Sequence, residues 1–153
     1  MRLGDLVRGA VVIVGALGLS GCSSDETSGA TSTAGAVDVT VQEFQVSPDP
    51  DSASPGQVTF TVNNTGPNDV HEFVVVKTDL APDALPTDST GAVDENGAGI
   101  EPVDEIEDIA VGATESVTVT LEAGSYVLMC NIYDKAEKES HYQQGMRTGF
   151  TVS

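Results

Sequence analysis

An all-β fold, a sandwich of two sheets, is predicted by three features of this sequence. Apolar and polar residues alternate at period two in several short segments, turn-forming clusters separate those segments, and no long helical stripe appears among them. "VDVTVQEFQV" sets Val37, Val39 and Val41 on one side, and "QVTFTVNN" does the same with Val58, Phe60 and Val62. "VHEFVVVKT" and "SYVLMC" are more continuously apolar, which suits central strands covered on both faces. "SVTVTLEA" alternates again through Val117, Val119 and Leu121, and "TGFTVS" closes the domain with Phe150 and Val152 on one face. The clusters "SPDPDSASPG", "NNTGPND", "AVGAT" and "EAG" mark the turns between them.

Residues 79–110, "DLAPDALPTDSTGAVDENGAGIEPVDEIEDIA", break this rhythm with prolines, a Gly-rich middle and an acidic end. An excursion of this length between strands is a surface insertion or a functional lobe. Its "VDEIEDI" suits a short helix or an edge strand, with Asp104, Glu105, Glu107 and Asp108 as a solvated face. These acids lack the oxygen-ligand register and the glycine of an EF-hand loop, which argues against a calcium site.

The N-terminal region has a different character. Arg2 and Arg8, the apolar run "GAVVIVGALGL" and the small residues of "LSGC" read as a secretory signal over residues 1–21. "LSGC" resembles the lipobox of bacterial lipoproteins, which implies cleavage before Cys22, acylation of its thiol and anchoring at the extracytoplasmic face of a membrane. Residues 22–36, rich in Ser, Thr, Gly and Ala, have the composition of a flexible tether. Residues 37–153 then form one domain of ordinary size.

The chain carries a formal net charge of −18. Loss of Arg2, Arg8 and Asp5 with the signal leaves four Lys+Arg against 23 Asp+Glu, a net of −19. Such a surface repels nucleic acid and anionic lipid and steers a basic partner toward it; solubility in a salty habitat is the other explanation.

The chemistry concentrates near the C-terminus, in "CNIYDKAEKESHYQQGM". With Cys22 assigned to the anchor, Cys130 has no disulfide partner in an exported protein, so its thiol is either a small buried side chain or a metal ligand. Residues 37–153 offer two histidines, His71 and His141, one thiol, Cys130, and two methionines, Met129 and Met146. Two imidazoles, a thiolate and a weak thioether are the donor set of a blue-copper site. Cys130 ends one strand, His141 and Met146 follow on the next connection, and His71 opens another strand. Met129 is set aside because adjacent residues of a strand point to opposite faces.

"GSYVLMCNI" followed by "HYQQGM" and "TGFTV" resembles the C-terminal ligand loop of the cupredoxin family, and "HEFVVVKT" resembles its other ligand strand. The resemblance covers about residues 37–153. It implies a Greek-key sandwich holding one copper ion, with His71, Cys130 and His141 as equatorial ligands and Met146 as the weak axial one. It also implies a protein that passes single electrons to a redox partner. Two departures stand out. Ten residues separate Cys130 from His141, with "YDKAEKES" as an insertion, and Glu72 and Asn131 stand where the family often carries Asn after the first histidine and Ser or Thr after the cysteine.

Two other readings remain at this level: a copper storage or delivery protein using the same residues, and a metal-free sandwich acting as an adhesion or interaction module. An enzyme is disfavoured, since two histidines cannot furnish further copper centres and no nucleophile motif precedes a helix. A monomer, tethered through its N-terminal lipid, is the expected state.

Overall fold

The computed structural model describes residues 35–153. The signal, Cys22 and the tether up to residue 34 lie outside the described residues. Gly35 and Ala36, placed in the tether by composition, already belong to the first strand, where Gly35 pairs with Val58 and Ala36 with Thr59.

The chain forms β1 (Gly35–Gln42), β2 (Gln45–Asp49), β3 (Ser52–Ala53), β4 (Gly56–Gly66), β5 (His71–Lys77) and β6 (Glu101–Ile109). It continues through β7 (Thr114–Leu121), β8 (Gly124–Met129), β9 (Tyr133–Asp134), β10 (Glu139–Ser140), a four-residue helix α1 (His141–Gln144) and β11 (Arg147–Val152). "VDVTVQEFQV" is therefore two strands: the chain turns at Glu43 and Phe44, and β2 pairs back on β1 with Gln42 opposite Gln45. "VDEIEDI" lies in an edge strand.

One sheet has the order β2-β1-β4-β7 and the other β3-β11-β8-β5-β6, and the chain passes repeatedly between them, as in a Greek-key sandwich. Both sheets are mixed, with β1 parallel to β4 and β3 parallel to β11. The inner faces enclose Val37, Val39, Val41, Val58, Phe60, Val62, Phe73, Val75, Leu121, Leu128 and Phe150. Phe60 anchors this layer, with its ring 5.3 Å from Phe73 and 5.5 Å from Phe150, each at a steep angle.

The continuously apolar β5 and β8 are explained by a second layer. Val74, Val76, Val127 and Met129 face away from the inner core and are covered by Leu85, Val93 and Tyr142. The excursion after β5 thus shields the outer face of the five-stranded sheet. Tyr142 pins it, donating its hydroxyl proton to the Pro82 carbonyl at 2.7 Å and accepting the Leu85 N–H at 3.1 Å. The Arg147 guanidinium lies 4.7 Å over the Tyr142 ring and donates to the Tyr142 carbonyl.

Candidate metal centre

Three connections meet at one pole of the sandwich. His71 is the first residue of β5, Cys130 follows the last residue of β8, and His141 opens α1. β5 and β8 are hydrogen-bonded neighbours, Val74 opposite Met129, which sets His71 and Cys130 on adjacent strands. The insertion between Cys130 and His141 folds as the hairpin β9–β10, with Tyr133 opposite Ser140. Asp134 closes its turn by accepting the Ala136 and Glu137 N–H groups at 2.6 and 3.0 Å. Hence the chain leaves the pole at Asn131 and returns to it at His141, whose N–H donates to the Ile132 carbonyl at 2.9 Å.

Ser140 caps α1 by accepting the Gln143 N–H and donates its own proton to the Gly91 carbonyl at 2.8 Å, tying the helix start to the excursion. Gly145 ends α1 with φ 122°, a conformation that favours glycine. From there Met146 donates its N–H to the His141 carbonyl and accepts that of Cys130, both at 3.0 Å. Met146 is fully buried beside Cys130 in the inner core, whereas Met129 packs in the outer layer.

The candidate donor atoms converge. His71 Nδ1 lies 3.2 Å from His141 Nδ1, and Cys130 Sγ lies 3.4 Å from His141 Nδ1 and 3.9 Å from His71 Nδ1. An ion held at about 2.0 Å from imidazole nitrogen and about 2.3 Å from thiolate sulfur needs donors roughly 3.3–3.8 Å apart in a trigonal or tetrahedral set. The triangle present here has that size. His71 and Cys130 are 0% exposed and His141 2%, so donors and solvent are separated. A single thiolate with two imidazoles and a buried thioether nearby suits copper better than a closed zinc site, which takes four strong ligands.

Burial governs the protonation of this cluster. It pushes the Cys130 thiol up to about 12, against the Glu72 and Ile132 backbone N–H groups, and the Glu72 carboxylate pushes the same way as burial. Cys130 is therefore a thiol until an ion displaces its proton. Burial, followed by the charge of His141, lowers His71, so the His71 ring is neutral and offers a lone pair at neutral pH; Glu43 and Asp69 oppose that shift.

Glu72 and Asn131, which follow His71 and Cys130 in sequence, brace one another. Glu72 accepts the Asn131 N–H at 2.7 Å, and its own N–H points at Cys130 Sγ at 3.4 Å. The Asn131 side chain accepts the Val93 N–H at 2.5 Å and donates at 3.0 Å to the Val93 carbonyl and to Glu95, clamping the excursion to the residue after the cysteine. Burial, opposed by the Asn131 N–H and reinforced by Glu105, Glu95 and Glu107, pushes the Glu72 carboxyl up to about 7.

Because the folded state then holds the Glu72 proton more tightly than the unfolded chain, the associated stability is fully present below about pH 4.5 and lost as pH rises through about 7. Glu72→Gln keeps an acceptor for Asn131 without the charge. Metal-free protein with this change should gain on the order of 2–3 kcal/mol at pH 8, with the gain closing by pH 4.5. Urea denaturation at both pH values checks this; equal stability of variant and parent at pH 8 would contradict it.

Sequence reasoning missed Glu43, Phe44 and Asn64. Phe44 sets its ring edge-on to His141 at 5.5 Å, and Glu43 approaches His71. Both occupy the turn between β1 and β2, far from the ligands in sequence, and nothing in "QEFQ" signals that proximity. Asn64 lies in "NNTGPND", which reads as ordinary turn sequence.

No family model matches the chain, and no curated protein matches it. Solved structures do. Rusticyanin from Thiobacillus ferrooxidans superposes with a TM-score of 0.53 at 20% identity, over 78% of this chain and 77% of that one. The chain has the cupredoxin fold. Azurin iso-2 from Methylomonas sp. strain J shares this cupredoxin architecture at TM-score 0.50 and 18% identity, over 78% of this chain and 98% of that one. Reduced auracyanin from Roseiflexus castenholzii matches at TM-score 0.49 and 23% identity, over 80% and 98% of the two chains. Rusticyanin is described as a copper protein.

Proposed function

We propose that this protein is a mononuclear type 1 copper protein that carries single electrons. The observation that carries the reading is the buried triangle of His71 Nδ1, His141 Nδ1 and Cys130 Sγ at one pole of a cupredoxin sandwich. Copper held there would supply a one-electron couple. The chain's own part is to hold the donors fixed: two ligands stand at strand ends, the third opens a capped helix, and Cys130, His141 and Met146 are linked by backbone hydrogen bonds. A site so braced changes little between the two charge states, which favours rapid transfer.

In this reading Met146 would hold the ion weakly through its thioether. Met146→Leu should keep the blue colour and raise the reduction potential, because loss of thioether donation disfavours the oxidised ion. Voltammetry of the copper-loaded variant measures this, and a lowered potential would remove Met146 from the ligand set.

Burial of the donors also argues against catalysis on a bound substrate and against ready release of the ion, so electron transfer is preferred to delivery. An open cleft of about 550 Å³ is lined by Lys77–Leu80, Gly99–Glu101 and Ala123–Ser125. It sits at the Lys77 end of β5, roughly 20 Å from His71 at the strand rise of about 3.3 Å per residue.

The same proposal places the protein at the extracytoplasmic face of a bacterial membrane, held as a monomer by acylated Cys22 through the tether of residues 22–34. Its partner is a redox protein with a basic face. Edge strand β6 exposes Glu101, Asp104, Glu105, Glu107 and Asp108, a run that discourages sheet-to-sheet association and attracts cations.

The test is a visible absorption spectrum of copper-loaded protein, followed by electron exchange with a basic cytochrome at rising ionic strength. An intense band and a rate that falls with salt are expected. A colourless copper complex would end the blue-copper reading, and copper loss to an acceptor protein without electron exchange would favour delivery.

A further inference from the structure

His71 has a second nitrogen. Its Nε2 is fully buried and has no hydrogen-bond partner among the described residues, and Glu43 Oε1 approaches it to 3.8 Å. Glu43 is itself half spoken for: Oε1 accepts the Asn68 N–H at 2.9 Å and the Asp69 N–H at 2.5 Å, in the turn that leads into His71. Its Oε2 is buried and unpartnered. A buried ring nitrogen without a partner thus lies 3.8 Å from one oxygen of a carboxylate whose other oxygen is also buried without a partner. Leaving both unsatisfied costs on the order of 1–3 kcal/mol each, so a hydrogen bond between the ring and this carboxylate would remove two penalties together.

We propose that Glu43 is the positioning residue of this centre: its carboxylate holds His71 as the Nε2–H tautomer, aims the Nδ1 lone pair at Cys130 and His141, and places a negative charge one ring away from the bound ion. The tautomer follows from donor chemistry. A carboxylate accepts hydrogen bonds, so the nitrogen facing it carries the proton and the other nitrogen is left to ligate. Outer carboxylates on ligating histidines raise ligand basicity and fix ring orientation. A negative charge beside the ring also favours the more oxidised ion. This last consequence rests on the copper reading above; the tautomer does not.

Nitrogen-15 spectroscopy of the full-length metal-free protein at pH 8 tests the first part. His71 should carry its proton on Nε2. In Glu43→Gln, which keeps an oxygen for the Asn68 and Asp69 N–H groups, the ratio of Nε2–H to Nδ1–H tautomer should fall about tenfold or more, the worth of a charge-assisted hydrogen bond. Titration with Cu(II) and Cu(I) against chromophoric chelators tests the second part. Affinity in Glu43→Gln should fall about 10- to 100-fold, more for Cu(II) than for Cu(I). A tenfold difference between the two losses raises the potential by about 59 mV.

A role confined to tying down the Asn68–Asp69 turn would leave the tautomer and the potential where they are. An Nδ1–H tautomer in the parent overturns the proposal, and so do affinities and tautomer ratio in Glu43→Gln within twofold of the parent. Should that variant fail to fold, the parent's tautomer decides. A parent with the Nε2–H tautomer, sensitive to Glu43→Gln, that gave no blue copper complex would remove the copper reading and leave Glu43 as the residue that aims His71.

Discussion

Cys130→Ser should yield a folded protein that has lost the intense visible colour. The band of a blue-copper site arises from charge transfer out of the thiolate, and a serine hydroxyl is a harder, poorer donor. Affinity for copper should drop more than about 100-fold, since partners that merely orient ligands are already worth 10–100-fold. The fold should tolerate the change. Cys130 is fully buried, yet the Glu72 N–H lies 3.4 Å from its sulfur and can serve an oxygen there. The cost of burying the hydroxyl is about 1–2 kcal/mol. Absorption of the copper-loaded variant and circular dichroism of the metal-free one separate the two effects. A serine variant as blue as the parent would remove the thiolate from the site.

Asn64→Ala should produce the largest loss of stability, about 3 kcal/mol, or a fall in Tm of roughly 10 °C for a domain of this size. Asn64 is fully buried and uses its whole amide. Nδ2 donates to the Asp69 and Ile109 carbonyls and Oδ1 accepts the Gly66 N–H, each at 2.8 Å. These bonds join the end of β4, the turn that enters β5 and the end of β6, next to His71. Alanine would leave a buried carbonyl, a part-buried carbonyl and a buried N–H without that partner, and the penalty is the desolvation of each. Thermal unfolding of the metal-free variant checks the magnitude. A change under about 1 kcal/mol would mean that the turn repacks around water.

The strands were legible because half-buried strands leave a period-two trace that needs no knowledge of neighbours. The two exceptions have a tertiary cause. The alternation of "VDVTVQEFQV" runs straight through a reversal, because β1 and β2 bury residues against the same core on both sides of Glu43 and Phe44. "VDEIEDI" is apolar at too few positions to distinguish helix from strand; pairing with β5 settles it.

The site shows the same division. Residue type and order marked His71, Cys130, His141 and Met146, because a lone thiol, two imidazoles and a thioether are rare enough to be conspicuous. The insertion between Cys130 and His141 obscured the spacing, and the hairpin β9–β10 restores it by returning the chain to its starting point. Glu72 and Asn131 were visible only as departures; their mutual hydrogen bond requires His71 and Cys130 to lie on paired strands.

By itself the sequence determined an all-β domain, its acidic surface and the chemical identity of its candidate metal-binding side chains, since these depend on residue type and on periodicity along one chain. Only the tertiary structure decided which atoms of those side chains meet, how fully water is excluded from them, that Glu43 approaches His71, and that Asn64 ties the turn leading into it. Distances between residues far apart in the chain are set by sheet pairing and packing, and neither leaves a local trace.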